Sequence, residues 1–274
     1  MPVVLTIHDV SYQLHPQWYP YKRDPLRRAF YRHSAYAAAH ILTVSRFSAA
    51  EIHRAYGIPP ERITVAPLGA DPSFAPRNPE MSQQLPAGVV PPYLLHVGDL
   101  HERRNLPMLV DIVVEARRHF GTVPGLSLVV VGKDLGIAPE LSAMAARAGA
   151  RDAVVHLSSA SDKQLHELYR SAAALVYPSL YEGFGLPVIE AMASGTPVIA
   201  SNRAALPELI GDGGILIDPT DVDRWTQTVI DVVTSDERRA SMRRDGLRQA
   251  AAFTWDRTAR LTLDAYRRVA GRVS

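Results

Sequence analysis

Apolar residues in this chain gather in short runs, separated by longer stretches in which they recur at helical spacing. Runs at Val3 to Ile7, Ile41 to Val44 and Ile63 to Ala66 read as strands. Six more follow: Tyr93 to Val97, Leu126 to Val131, Ala153 to Leu157, Ala174 to Tyr177, Val198 to Ala200 and Gly214 to Ile217. Helical stretches lie between them, one from about Asp24 to Ala39. Strands alternating with helices predict an α/β fold with parallel sheets. Ser48-Ala49-Ala50-Glu51 reads as a capping box that opens a short helix ending at Tyr56, and Ser161-Asp162-Lys163-Gln164 as another. Two or three arginine-rich helices close the chain.

Between Asp71 and Pro92 stand six prolines, Pro72, Pro76, Pro79, Pro86, Pro91 and Pro92, with little periodicity around them. Such a stretch marks an interdomain linker. The division it implies is a first domain over 1–75, a linker over 76–92 and a second domain over 93–252. A helix over 253–274 is then expected to cross back to the first domain. Six strands make the second unit a complete Rossmann-like domain, whereas three strands make the first a thin sheet.

Composition narrows the chemistry. A formal charge of +2 over 274 residues is too small to argue for nucleic acid. No cysteine is present, which removes disulfides, thiolate metal sites and thiol nucleophiles and fits a reducing compartment. No apolar run approaches the ~20 residues that span a bilayer. Met1 to Val10 lack the basic flank and long apolar region of a signal peptide. No HExxH, Cys-His cluster or acidic triplet with metal-ligand spacing occurs, so no metal and no cofactor are expected.

Residues 181–198 read YEGFGLPVIEAMASGTPV and carry the densest chemical signal. A strand leads in, the Gly183-Phe184-Gly185 turn follows, and Pro187 suits the first turn of a helix, where its missing N–H costs nothing. The glycines let the backbone turn sharply and approach a ligand closely. Unpaired N–H groups and the positive end of the helix dipole then face that turn, and phosphate is their natural guest. Glu182 precedes the turn, while Glu190 is placed in the first helical turn. Two such carboxylates suit hydroxyl recognition, each accepting hydrogen bonds from a vicinal diol, one of a hexose and one of a ribose. A glycosidase pair would flank one bond at roughly 5–9 Å with one acid kept protonated, and nothing in the sequence marks such an acid. The plain alternative is a βαβ unit with solvated glutamates.

Other constellations are weaker. Val97-Gly98-Asp99-Leu100-His101-Glu102-Arg103-Arg104-Asn105 follows the first strand of the second domain, where adjacent arginines make a pyrophosphate clamp or, more plainly, a solvated surface pair. His8-Asp9 ends the first strand, at the carboxyl edge where open α/β sheets hold ligands; a loop cap is the plain alternative. Gly132 after Val129-Val130-Val131 reads as a tight turn. Tyr19 to His33 interleaves aromatics with Lys22, Arg23, Arg27, Arg28 and Arg32. It reads as a solvated helix face with core aromatics, or as a peripheral contact with an anionic membrane surface. Arg238, Arg239, Arg243, Arg244 and Arg248 read as a solvated face with acidic partners.

The string E-G-F-G-L-P-x-x-E-A-M-A-x-G-x-P-V resembles the donor-site signature of the retaining glycosyltransferases of family 4, the group 1 glycosyltransferases, of GT-B fold. The resemblance runs on through Leu206-Pro207-Glu208, Gly211-Asp212-Gly213-Gly214, Asp218-Pro219 and Phe253-Thr254-Trp255, and covers nearly the whole chain from Val3. It implies transfer of a hexose, mannose or glucose, from a nucleotide-diphosphate sugar to a glycan or lipid-linked acceptor with retention. The enzyme would be cytoplasmic, at the inner face of the membrane where its acceptor is lipid-linked.

By that resemblance the catalytic set is Glu182, His8, Arg103 and Arg104. The donor-binding set is Gly98, Arg103, Arg104, Leu157, Glu182, Gly183, Phe184, Gly185, Leu186 and Glu190. Glu190 would hold the ribose, Glu182 the sugar, and His8 would reach the sugar from across the cleft. The segment around His156-Leu157-Ser158 would lie near the base through backbone atoms. Two departures stand out. The family usually has Arg-Lys-Asn where this chain has Arg103-Arg104-Asn105, and its first domain is about twice as large, with a glycine-rich loop not found here. Two other functions therefore stay open: a nucleotide-sugar-binding module inactive alone, and another GT-B chemistry such as epimerisation or hydrolysis of a nucleotide sugar.

Overall fold

The computed structural model describes residues 2–19, 24–78, 84–119 and 125–271. Lys22 and Arg23 of the basic stretch and Pro79 of the linker lie outside the described residues.

The first part of the chain runs β1 (Val4–Thr6), α1 (Ser11–Leu14), α2 (Pro25–Ala37), β2 (His40–Thr43), α3 (Arg46–Tyr56) and β3 (Ile63–Val65). Its strands pair in parallel, in the order β1-β2-β3. The second part runs β4 (Tyr93–Val97), α4 (Leu106–His119), β5 (Ser127–Val131), α5 (Ala138–Arg147), β6 (Val154–Leu157), α6 (Asp162–Ser171) and β7 (Ala174–Tyr177). It continues with α7 (Leu186–Ala193), β8 (Val198–Ser201), α8 (Leu206–Ile210), β9 (Ile215–Ile217), α9 (Val222–Thr234) and α10 (Asp236–Ala250). Its six strands are parallel in the order β6-β5-β4-β7-β8-β9. The α/β expectation with two parallel sheets holds.

Helices cover both faces of the larger sheet, so its strands need no polar side. One face packs Leu94, Leu128, Val130 and Val176 with Trp225 and Val229 of α9. The other packs Tyr93, Leu95, Val129 and Tyr177 with Val188, Ile189 and Met192 of α7. The closing helix, α11 (Trp255–Ala270), leaves the second domain and lies on the smaller sheet. There Ala265 packs with Leu42 and Ala66, and the Thr258 hydroxyl donates to the Pro67 carbonyl at 2.5 Å.

Local chemistry explains most boundaries. The Asp24 side chain accepts from the Arg27 N–H at 2.9 Å and starts α2, a cap worth about 1 kcal/mol. The capping box Ser161–Gln164 forms in full at the start of α6. The box expected at Ser48–Glu51 does not form. Ser45 caps α3, accepting from the Ser48 N–H at 2.9 Å, because Ser48 lies inside the helix and Glu51 pairs with Arg54. Where the first unit meets the linker, Arg170 of α6 donates to the carbonyls of Ala75 and Ser73, and Arg77 pairs with Glu167. These contacts hold the described start of the proline-rich stretch against the second domain.

Candidate active site

The order of the larger sheet reverses between β4 and β7, the two central strands. Loops leaving the carboxyl ends of such a pair diverge to opposite faces and open a crevice for ligands. The two loops are 98–105 after β4 and 178–185 after β7, and they hold the two strongest motifs of the sequence.

Glu182 and Arg104 meet in this crevice as a buried ion pair, 5% and 9% exposed. The same Nη1 of Arg104 also donates to the Tyr177 hydroxyl and lies 3.5 Å from Ser179 Oγ. The guanidinium carbon sits 5.2 Å from the Tyr177 ring centroid, and that ring stacks on His96 at 5.2 Å with 17° between planes. His96 is fully buried; burial, reinforced by the Arg104 charge, lowers its pKa to about 3, so the imidazole is neutral. It shares a hydrogen bond with the Val176 carbonyl at 3.1 Å through Nδ1, while its Nε2 has no partner among the described residues.

The two arginines do not form the parallel clamp expected from their adjacency. They lie on a short 3-10 turn, Glu102–Arg104, and Asn105 at φ 54° separates it from α4. That turn sends neighbouring side chains in different directions. Arg104 goes inward to Glu182, with its Nη2 3.2 Å from where a Cβ on Gly98 would stand, and Gly98 itself is at φ 139°, a conformation that favours glycine. Arg103 is half-buried, and its guanidinium has no ion-pair or hydrogen-bond partner among the described residues. Its backbone carbonyl accepts from the Leu180 N–H at 2.8 Å and ties the two loops together.

Gly185 caps α7 with φ 121° and no side-chain cap. Pro187 has no N–H and the Val188 N–H donates to the Gly185 carbonyl at 2.9 Å, so of the first three helix positions Leu186 alone has an N–H not committed among the described residues, with the dipole behind it. Glu190 is the fifth residue of this eight-residue helix, one turn deeper than the sequence suggested, because the helix starts at Leu186. Its carboxylate accepts from the Tyr169 hydroxyl at 2.8 Å. Burial raises its pKa, partly offset by that hydroxyl.

The remaining residues fall around this centre. Phe184 is buried against Phe253, with ring centroids 6.1 Å apart, and Leu186 is half-buried at the helix start. Leu157 ends β6, where its carbonyl accepts from the Gly132 N–H at 2.9 Å. His8 follows β1 with an exposed side chain, and its loop lies directly against the Gly183–Gly185 turn. A Cβ on Gly183 would fall 2.6 Å from Asp9 Cβ and 3.0 Å from the His8 carbonyl oxygen. Tyr181, just before Glu182, packs edge-on against His15, Trp18 and Phe47 of the first domain. Both domains therefore shape one crevice.

Sequence reasoning missed Tyr169, which holds Glu190, and Tyr177, which holds Arg104. A tyrosine closing an otherwise aliphatic strand, as in Ala-Leu-Val-Tyr, was the available signal for the second. Of the basic stretch, Leu26 and Phe30 are 81% and 65% exposed, so Phe30 is not the core aromatic that the solvated-face reading required. Arg239 and Arg248 do pair with Asp236 and Asp245. Among the described residues, no group of three or more His, Asp or Glu side chains is placed to hold a metal ion.

Comparison with known proteins gives this geometry a family. The sequence model of Glycosyl transferases group 1 matches residues 78–249, and that of Glycosyltransferase Family 4 matches residues 1–74. The O-antigen chain mannosyltransferase B of Escherichia coli is 32% identical over 274 residues, covering 96% of this chain and 70% of that protein. The MMP alpha-(1->4)-mannosyltransferase of Mycolicibacterium hassiacum is 32% identical over 300 residues, covering 100% of this chain and 67% of its own length. The chain spans 51–66% of the D-inositol 3-phosphate glycosyltransferases it matches. In fold it is similar to Anabaena Alr3699/HepE in complex with UDP and glucose, with a TM-score of 0.79 over 98% of this chain and 71% of that one, at 20% identity. The match over 78–249 takes in both loops of the crevice, and the chain belongs to the group 1 glycosyltransferases, of GT-B fold.

Proposed function

We propose that this chain transfers a hexose from a nucleotide-diphosphate sugar to a glycan or lipid-linked acceptor with retention at the anomeric carbon. The observation that carries the proposal is the division of labour in the crevice. Arg104 is consumed in holding Glu182, which leaves Arg103 and the Leu186 N–H at the start of α7 to meet the diphosphate. Charge building on the leaving group would meet donors already in place, which is electrostatic catalysis without reorganisation. Glu182, buried and oriented, would accept from the sugar hydroxyls and fix the anomeric carbon for attack. Glu190 would hold the ribose, and exposed His8 would approach the sugar from the first domain. The leaving diphosphate is neutralised by protein groups, so chelation with EDTA should leave the rate unchanged.

Mannose is the first sugar to test, because two relatives are named mannosyltransferases, and glucose the second. No helix among the described residues is long and apolar enough to cross a membrane. A peripheral contact at the inner face, through exposed Leu26 and Phe30 beside Arg27 and Arg32 on α2, would bring the site to a lipid-linked acceptor. Anionic vesicles should then sediment the parent protein but not Leu26→Glu/Phe30→Glu.

A second function is favoured by one observation. The first domain's sheet has three strands against six in the second, a smaller scaffold on the acceptor side than on the nucleotide side, which suits a nucleotide-sugar-binding module inactive alone. Calorimetry with GDP-mannose and UDP-glucose, run beside a nucleotide-release assay, separates the outcomes. Release that requires an acceptor supports transfer, with product stereochemistry read by NMR. Binding without release supports the module, and release without acceptor marks hydrolysis.

A further inference from the structure

The turn that carries Glu182 has three backbone anchors, and they do not all come from its own domain. Leu180 N–H donates to the Arg103 carbonyl at 2.8 Å, and the Glu182 carbonyl accepts from Ala205 N–H at 3.3 Å. Both partners sit on the second domain. The Gly183 carbonyl, one residue after the glutamate, accepts from Ser45 Oγ at 2.6 Å and Ser48 Oγ at 3.0 Å. These serines stand at the start of α3 in the first domain and are 1% and 0% exposed.

A buried carbonyl with two hydroxyl donors has both lone pairs filled, so this anchor is complete and dry. Both hydroxyls are committed to it, since Ser45 accepts only the capping N–H of Ser48 besides. The neighbouring N–H and guanidinium of Arg46 hold Glu208 of α8 at 2.8 and 3.3 Å. The start of α3 thus grips the second domain at two places, and one of them is the catalytic turn itself. Gly183 lets the domains come this close: its φ is not left-handed, so glycine is required there by the contact with Asp9 and not by the backbone.

We infer that Ser45 and Ser48 clasp the donor turn across the cleft, so that Glu182 takes its working position only while the first domain is seated. They are positioning residues that act through the Gly183 carbonyl. The clasp makes turnover, but not nucleotide binding, conditional on domain closure. A donor bound to the second domain alone would meet a turn with one anchor missing, and so would be spared wasteful hydrolysis. The inference rests on the role proposed for Glu182, and its test includes a readout independent of activity.

Ser48→Ala removes one donor and leaves the helix cap intact. Ser45→Asp keeps a capping acceptor but sets a carboxylate against the carbonyl, and Ser45→Thr keeps both functions. Displacing reacting groups by about 1 Å costs on the order of a hundredfold. Expected kcat losses are therefore about tenfold for Ser48→Ala and about a hundredfold for Ser45→Asp, with Ser45→Thr near the parent. The Kd for UDP or GDP should stay within about twofold throughout. Hydrogen exchange of the 181–185 amides should quicken in the first two variants and not in the third. Gly183→Ala, which holds the domains apart instead, should quicken the same exchange as Ser45→Asp does. Unchanged exchange in both donor-less variants overturns the clasp, as does a loss of nucleotide affinity in step with kcat. A parent protein that turns over no donor would defeat the proposed function instead, and exchange would still judge the clasp.

Discussion

Glu182 and Glu190 stand on either side of one helix start, yet their surroundings are opposite in kind. Glu182 lies buried in the wall of the crevice with a guanidinium, a tyrosine hydroxyl and a neutral histidine stacked behind them. Glu190 is half-buried on α7 and accepts from a neutral phenol, that of Tyr169. The first carboxylate has a full countercharge, whereas the second is desolvated with none among the described residues, and its pKa rises. A charge-paired carboxylate is held in one orientation by strong contacts. One held by a single neutral hydrogen bond keeps its other lone pairs free for a ligand. On the roles proposed above, the pairing would suit Glu182 to precise placement of a reacting centre and Glu190 to reversible holding of a ribose.

The largest break in that contrast is Glu182→Ala. Removing one member of a buried pair leaves the other charge uncompensated, at a cost of about 3–5 kcal/mol, and transfer should fall by at least about 10²–10³-fold. Thermal unfolding and turnover measured together test this. A variant that melts with the parent would mean that Arg104 had found water or another partner. The same pocket makes a pH prediction through His96. Its folded pKa, about 3, lies below its ordinary 6.5. The stability it contributes is therefore fully present above 6.5 and is lost as pH falls toward 3, by about a kcal/mol for each unit. His96→Phe cannot titrate, so its stability should decline less steeply over that window. Parallel curves would show that the pocket is wet.

Much of this was legible beforehand, for reasons that differ by element. Strands β4, β5, β7 and β8 are buried on both faces, so they appear as unbroken apolar runs bounded by turns. The Gly183–Pro187 turn announces itself because glycine and proline change the backbone wherever they stand. The partners of the site were hidden. Tyr169 is 21 positions from Glu190, Arg104 is 78 from Glu182, and Ser45 is 138 from Gly183. No local pattern encodes a choice made by tertiary packing. The direction of Arg104 also hangs on a 3-10 turn and on Asn105 at positive φ, a conformation that ordinary spacing arguments do not foresee. Ser48 misled in its own way. It has the right neighbours for a cap, but its hydroxyl is taken by the other domain.

Arg103 sharpens the comparison from the phosphate side. Its guanidinium is not spent on either glutamate, so Arg103→Ala should leave stability within about 0.5 kcal/mol of the parent. Loss of a charged hydrogen bond to the diphosphate should weaken UDP or GDP binding by about 1.5–3 kcal/mol, or roughly ten- to hundredfold in Kd. Calorimetry decides, and an unaltered Kd would remove Arg103 from the donor site.

The smallest effects come from the Glu190 side and turn on sign. Tyr169→Phe removes one hydrogen bond, worth about 1 kcal/mol. The Kd for nucleotide should rise several-fold with kcat little changed, since Glu190 would hold the ribose and not the reacting carbon. Burial raises the Glu190 pKa above its ordinary 4.5 in the folded protein. The folded state therefore binds this proton more tightly than the unfolded chain. The resulting stability is fully present below 4.5 and is lost as pH rises through the raised value. Glu190→Gln carries no such titration, so its Tm should gain on the parent's as pH rises above 4.5. Tyr169→Phe should steepen the parent's decline, because the phenol no longer favours the charged form. Tm curves that run parallel in all three proteins would mean that Glu190 is as well solvated as any surface carboxylate, and its contrast with Glu182 would disappear.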